Sequence, residues 1–146
     1  MMIGIVKGLS LAYGLLVAQH SFSQNILEAT FFQGSYEEVL QEAQKQKKPI
    51  FLTFSASWCQ PCKKLEDESF SDQTLASIMS LRYIAKIIDV EQFVGMDVAD
   101  IYHVSEYPIS IVLDYKGKEL KRLRGFFPPD YLINILSKYP SFRPIK

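Results

Sequence analysis

The chain is 146 residues long, 48% hydrophobic, 13% aromatic and 22% charged, with 16 basic residues against 16 acidic ones. That length and composition describe one globular domain with enough apolar side chains for a real core, and they exclude a coiled coil or a disordered tail. A formal net charge of zero gives no sign of a nucleic-acid surface or a polybasic membrane patch.

The first 23 residues read as a separate unit. Lys7 precedes an apolar run of eleven, residues 8–18, and Ser21-Phe22-Ser23 supplies small residues at the last and third-last positions before a cut after Ser23. This pattern predicts a secretory signal peptide over residues 1–23 and a mature domain over residues 24–146. The competing reading is an uncleaved anchor, but the run is short for a span and is interrupted by Ser10, Tyr13 and Gly14. No cysteine stands at the junction to carry a lipid. The expectation is a periplasmic or secreted protein, without stable membrane insertion after cleavage.

Residues 25–34 are expected to form a loosely docked lead-in. Ser35-Tyr36-Glu37-Glu38 then fits a capping box, and Tyr36, Val39, Leu40 and Ala43 recur on one helical face. Lys45, Lys47 and Lys48 suit the end of that helix, and Pro49 stops it. Residues 50–54 are a continuous apolar strand of the kind buried on both faces, hence central. A helix is predicted from Cys59 to about Glu68, then a second one capped at Ser71-Asp72 with Leu75, Ile78 and Met79 inward. A strand over 83–90, a helix over 95–102, and two strands over 109–113 and 119–123 joined by a turn at 115–118 follow. After Pro128-Pro129-Asp130 a last helix puts Leu132, Ile135, Leu136 and Tyr139 on one face. The order αβααβαββα gives an α/β domain around a mixed four-stranded sheet.

The only two cysteines, Cys59 and Cys62, stand three apart at the junction of the central strand and its helix. Pro61 suits the first helical turn, so Cys59 sits at or just before it, where free backbone N–H groups favour a thiolate. Lys63 and Lys64 add to that bias. Cys59 is therefore the expected nucleophile and Cys62 the resolving thiol. A purely structural disulfide explains the spacing poorly, because so short a loop constrains the unfolded chain little. Zinc lacks ligands: beyond the signal segment His103 is the one histidine. A Cu(I) site needs fewer ligands and stays open as an alternative. No metal or organic cofactor is required for thiol exchange.

Trp58-Cys59-Gln60-Pro61-Cys62-Lys63 after a buried strand resembles the active-site motif of the thioredoxin superfamily. Val104-Ser105-Glu106-Tyr107-Pro108-Ile109 resembles that family's cis-proline loop, and Leu123-Arg124-Gly125-Phe126 its late glycine. Cys62-Lys63-Lys64-Leu65-Glu66, followed by Ser69-Phe70-Ser71-Asp72, is similar to the periplasmic thioredoxin-like domain of the membrane electron carrier DsbD and to small secreted single-domain relatives. The resemblance spans residues 35–139. It implies a thioredoxin fold and an exported thiol:disulfide oxidoreductase acting on disulfide-containing proteins, with a membrane thiol electron donor, as a monomer.

The resemblance also assigns residues. Cys59 and Cys62 would form the redox-active disulfide, and Trp58, Tyr107, Pro108 and Gly125 would meet the substrate. Pro108 would be cis, whereas composition alone reads it as a trans proline opening a strand. Gly125 would let a neighbouring loop approach closely, with a plain turn as the alternative. Gln60-Pro61 resembles the dipeptides of reducing members, so the expected direction is reduction, with an oxidase or isomerase as the alternative. Thr53 stands where many thioredoxins carry a buried aspartate, which leaves the proton route to Glu66. Glu66 lies four residues after Cys62, on a face shared with Leu65 and Ser69; it is either a partly buried acid–base group or a solvated partner of Lys63. Phe126 and Phe127 are read as core plugs rather than a docking patch, and His103 as a helix-end residue without a role.

Overall fold

The computed structural model describes residues 30–139; the expected signal segment, the start of the expected mature domain and residues 140–146 lie outside the described residues. Ser35 opens α1 (Tyr36–Gln46) through a reciprocal capping box: Glu38 N–H donates to the Ser35 hydroxyl, and Ser35 N–H donates to the Glu38 carboxylate. Lys47, in the left-handed conformation, ends the helix. Tyr36, Val39 and Ala43 are buried, as their spacing predicts, while Leu40 packs at the margin.

β1 (Ile50–Ser55) is buried along its whole length. It pairs in parallel with β2 (Ile84–Asp89) and antiparallel with β3 (Ile109–Leu113), and β3 pairs antiparallel with β4 (Glu119–Arg124). The sheet order is therefore β2-β1-β3-β4, mixed and four-stranded, with β1 interior. Between β1 and β2 lie α2 (Gln60–Lys64), a π-helical turn (Leu65–Phe70) and α3 (Gln73–Arg82), whose N-cap is Asp72. α4 (Phe93–Ile101) joins β2 to β3, and α5 (Pro129–Ser137) closes the domain.

Two apolar layers sandwich the sheet, because successive strand side chains face opposite sides. Ile50, Leu52 and Phe54 of β1 pack under α1 and α4 with Ile109, Ile111 and Leu113; Phe51 packs with Val112 under the π-turn, α3 and α5. Each of these strand residues is fully buried. Among the described residues no helix is long and apolar enough to cross a membrane.

Two local expectations are corrected. The described part of the lead-in is firmly docked: Phe31 is 5% exposed and packs on Phe70, and Phe32 N–H donates to the Ala85 carbonyl at 2.6 Å, occupying part of the outer edge of β2. The helix expected to end near Glu68 runs to Phe70, and its last part is widened. That widening brings Leu65 and Phe70, five residues apart, into the same apolar layer. In α4 the buried positions are Gly95, Val98 and Ala99, while Ile101 is 59% exposed.

Candidate active site

The end of β1 delivers the chain to a tight turn in which Cys59 N–H bonds to the Ala56 carbonyl at 3.1 Å. Cys59 is the N-cap of α2, with Pro61 in the first turn, as the sequence predicts. Its sulfur accepts the Cys62 N–H at 3.2 Å, so a main-chain donor already points at the atom that would carry negative charge. Cys59 and Cys62 are joined, with S–S 2.09 Å and Cα–Cα 5.2 Å. Both are largely covered, Cys59 at 4% exposure and Cys62 at 1%, so the first cysteine is the more open but is less accessible than its position suggests.

The surroundings supply a rim. Trp58 is 65% exposed and meets the Tyr107 ring edge-on, with centroids 6.0 Å apart. The Tyr107–Pro108 peptide bond is cis. Gly125 N–H donates to the Pro108 carbonyl at 2.8 Å, and the side chains of Arg124 and Glu106 form an ion pair beside that bond. The turn after β4 is thus tied to the cis-proline loop. Gly125 corrects an expectation: nothing lies within 4 Å of where its side chain would be, and its φ of +88° is the reason for glycine.

Glu66 is half-buried, and its carboxylate accepts the Ser55 hydroxyl at 3.0 Å. Burial raises its pKa above the ordinary glutamate range; the Ser55 hydroxyl opposes this, Asp67 adds to it, and Lys63 lowers it at a distance. Among the described residues no ion pair joins Lys63 to Glu66, and Lys64 places its ammonium over the Phe126 ring at 4.4 Å. The face expected to hold Cys62, Leu65 and Glu66 together is divided. Cys62 joins the layer under α1 and α4, Leu65 joins the opposite layer, and Glu66 turns to Ser55.

Thr53 is buried, and its hydroxyl bonds to that of Ser110 at 2.9 Å across β1 and β3. A cavity of about 330 Å³ opens beside the motif, lined by Ser55, Ser57, Lys63, Glu66, Asp89 and Glu91. Ser55, Ser57 and Glu91 were not singled out from the sequence. Glu91 lies 34 residues from its hydrogen-bond partner Ser57, so no local pattern announces the contact. Phe126 and Phe127 are half-buried against the layer that holds Phe51, and Phe127 stacks on the exposed ring of Tyr131, so the two lie at the margin of the core rather than inside it. His103 follows α4 with a left-handed φ of 51°. Met79, the methionine nearest the pair in sequence, is fully buried in the layer opposite the one holding the cysteines.

The model of the thioredoxin-like domain matches residues 36–140. The chain belongs to the thioredoxin-like domain family. It is 33% identical over 101 residues to the thiol:disulfide interchange protein DsbD of Campylobacter jejuni (strain RM1221), covering 68% of this chain but only 18% of that protein. It is 30% identical over 105 residues to a thioredoxin of Mycoplasma genitalium, covering 67% of this chain and 89% of that protein. The solution structure of a thioredoxin from Thermus thermophilus superposes with a TM-score of 0.67 at 22% identity, over 75% of this chain and 86% of that one. This thioredoxin-like chain therefore has the fold expected from its motif, with the cysteine pair closed at the end of its central strand.

Proposed function

We propose that the protein is an exported thiol:disulfide oxidoreductase that reduces disulfides in extracytoplasmic proteins. The observation that carries this reading is the closed Cys59–Cys62 pair, with the Cys59 sulfur accepting the Cys62 amide N–H. In the reduced protein the Cys59 thiolate attacks one sulfur of a substrate disulfide. The substrate S–S bond breaks, and one substrate sulfur leaves as a thiolate and takes up a proton. The Cys62 thiol loses its proton and attacks the Cys59 sulfur, releasing the second substrate thiol. Two electrons have then moved from the protein to the substrate, and the Cys59–Cys62 bond has re-formed.

Glu66, four residues after Cys62 and half-buried with a raised pKa, is the group proposed to accept the proton of Cys62. Because its carboxylate turns to Ser55 rather than to the sulfur, the proposed transfer is relayed rather than direct. Trp58, Tyr107, Pro108 and Gly125 form the proposed docking rim. A dithiol protein in the membrane is the proposed electron donor, by analogy with the similarity to DsbD; the same similarity and the apolar segment at residues 8–18 support export and a periplasmic or secreted location.

Cys62→Ser tests the reaction. It is expected to arrest Cys59 in mixed disulfides with discrete proteins in the host, and their absence, together with Cu(I) loading of the wild type, would replace catalysis with metal binding. The direction is tested by the reduction potential. A value nearer thioredoxin's, about −270 mV, than DsbA's, about −120 mV, is expected, and the reverse would make the protein an oxidant.

A further inference from the structure

Glu91 takes no part in the chemistry above, yet its carboxylate accepts the Ser57 N–H at 2.6 Å, two residues before Cys59. It is exposed, but it is not a free surface side chain. Glu91 N–H donates to one carboxylate oxygen of Asp89 and the Gln92 side-chain amide donates to the other, both at 2.9 Å. Beneath them the Asp89 carbonyl lies so close to Gly95 that an added Cβ would stand 1.8 Å from it, so only glycine lets α4 seat there. On the other side of the contact, Cys59 N–H is bonded back to Ala56, which leaves Ser57 and Trp58 as the tip of the turn. Val90 N–H donates to the Ser55 carbonyl at 3.0 Å, a main-chain tie between the same two segments.

We infer that Glu91 is a positioning residue for the redox pair: it latches the turn at residues 56–59 to the rigid turn after β2 and so holds the Cys59 sulfur against the Cys62 N–H. This deepens the oxidoreductase reading and rests on it. A charge-assisted hydrogen bond from a fixed acceptor restrains the turn more strongly than a neutral one would. With the latch gone, the turn loosens, the sulfur sits less squarely on its donor, and the thiolate of the reduced protein is less favoured.

A different role for the same carboxylate would have the opposite sign. Acting only as a nearby negative charge, it would disfavour the thiolate, and its removal would make Cys59 more acidic. The other charged groups lining the same cavity are Lys63 and Glu66 from α2 and the π-turn, and Asp89 from β2; they stay unchanged in every variant compared.

The test is the pH dependence of Cys59 alkylation by iodoacetamide in the reduced full chain, read by mass spectrometry, with insulin reduction at neutral pH as the rate assay. Glu91→Ala and the longer Glu91→Met, which also lacks an acceptor, are expected to move the alkylation midpoint up by roughly half a unit and slow insulin reduction about fivefold. Glu91→Gln keeps a neutral acceptor oxygen and is expected to recover most, though not all, of the wild-type midpoint and rate. Midpoints that move down together in Ala, Met and Gln variants, or do not move, overturn the latch. So does a loss of rate and thermal stability that Gln fails to rescue. If the wild type itself shows only an ordinary thiol midpoint near ~8.5 and leaves insulin intact, the oxidoreductase reading falls and takes the latch with it.

Discussion

The two faces of β1 start alike and end differently. On the side of α1 and α4, Ile50, Leu52 and Phe54 stay apolar to the strand's end, where the layer continues into Ala56 and the two cysteines. On the other side Phe51 gives way to Thr53 and then Ser55, both hydroxyl-bearing and both bonded, to Ser110 and to Glu66. One face therefore gives the sulfurs a dry backing, while the other becomes polar as it nears the site. A single strand with a period of two places the packed sulfurs on one side and the hydroxyl and carboxylate groups on the other without any extra element.

That division can be broken from either side. The largest expected effect is on the dry face. Phe54→Ala removes a fully buried ring that lies 6.3 Å from the Tyr102 ring, and should cost about 3–5 kcal/mol in a urea titration while the folded fraction keeps its exchange chemistry.

Next is Glu66→Gln on the polar face, expected to slow resolution of the mixed disulfide roughly 100-fold in single-turnover kinetics. The same variant should alter the pH dependence of stability. Because burial raises the Glu66 pKa in the folded chain, the folded state binds this proton more tightly than the unfolded one. Stability present below the ordinary glutamate range is then lost as pH rises through the raised value. Glu66→Gln should match the wild type in acid and exceed it at neutral pH in thermal melts.

The smallest effect is expected at Thr53→Val, which leaves the Ser110 hydroxyl buried without a partner and should cost about 1–2 kcal/mol. The double change Thr53→Val with Ser110→Ala should recover part of that loss, as measured by the shift of the urea midpoint.

The sequence carries the element order because each element announces itself locally: Ser35 and Glu38 as a reciprocal cap, residues 50–54 as an apolar run, Asp72 as a helix start. Cys59 and Cys62 are legible for the same reason, since three residues of spacing decide their pairing. What was not legible depends on distant partners. Phe32 docks because Ala85, more than fifty residues away, offers a carbonyl at the sheet edge. The widened turn at Leu65–Phe70 answers to a layer assembled from β1, α3 and α5. Gly125 could be recognised as necessary, but only its backbone angle shows that the need is conformational rather than one of clearance.

The docked lead-in has one more consequence. An outer strand with unused main-chain groups is a template on which any extended polypeptide can zip itself. Here Phe32 fills part of that template on β2, and on β4 the side chains of Glu119, Lys121, Arg122 and Arg124 surround the remaining border with charge. An extended polypeptide that reaches this domain therefore finds its sheet borders partly filled or ringed with charge, which disfavours strand addition away from the cysteine pair.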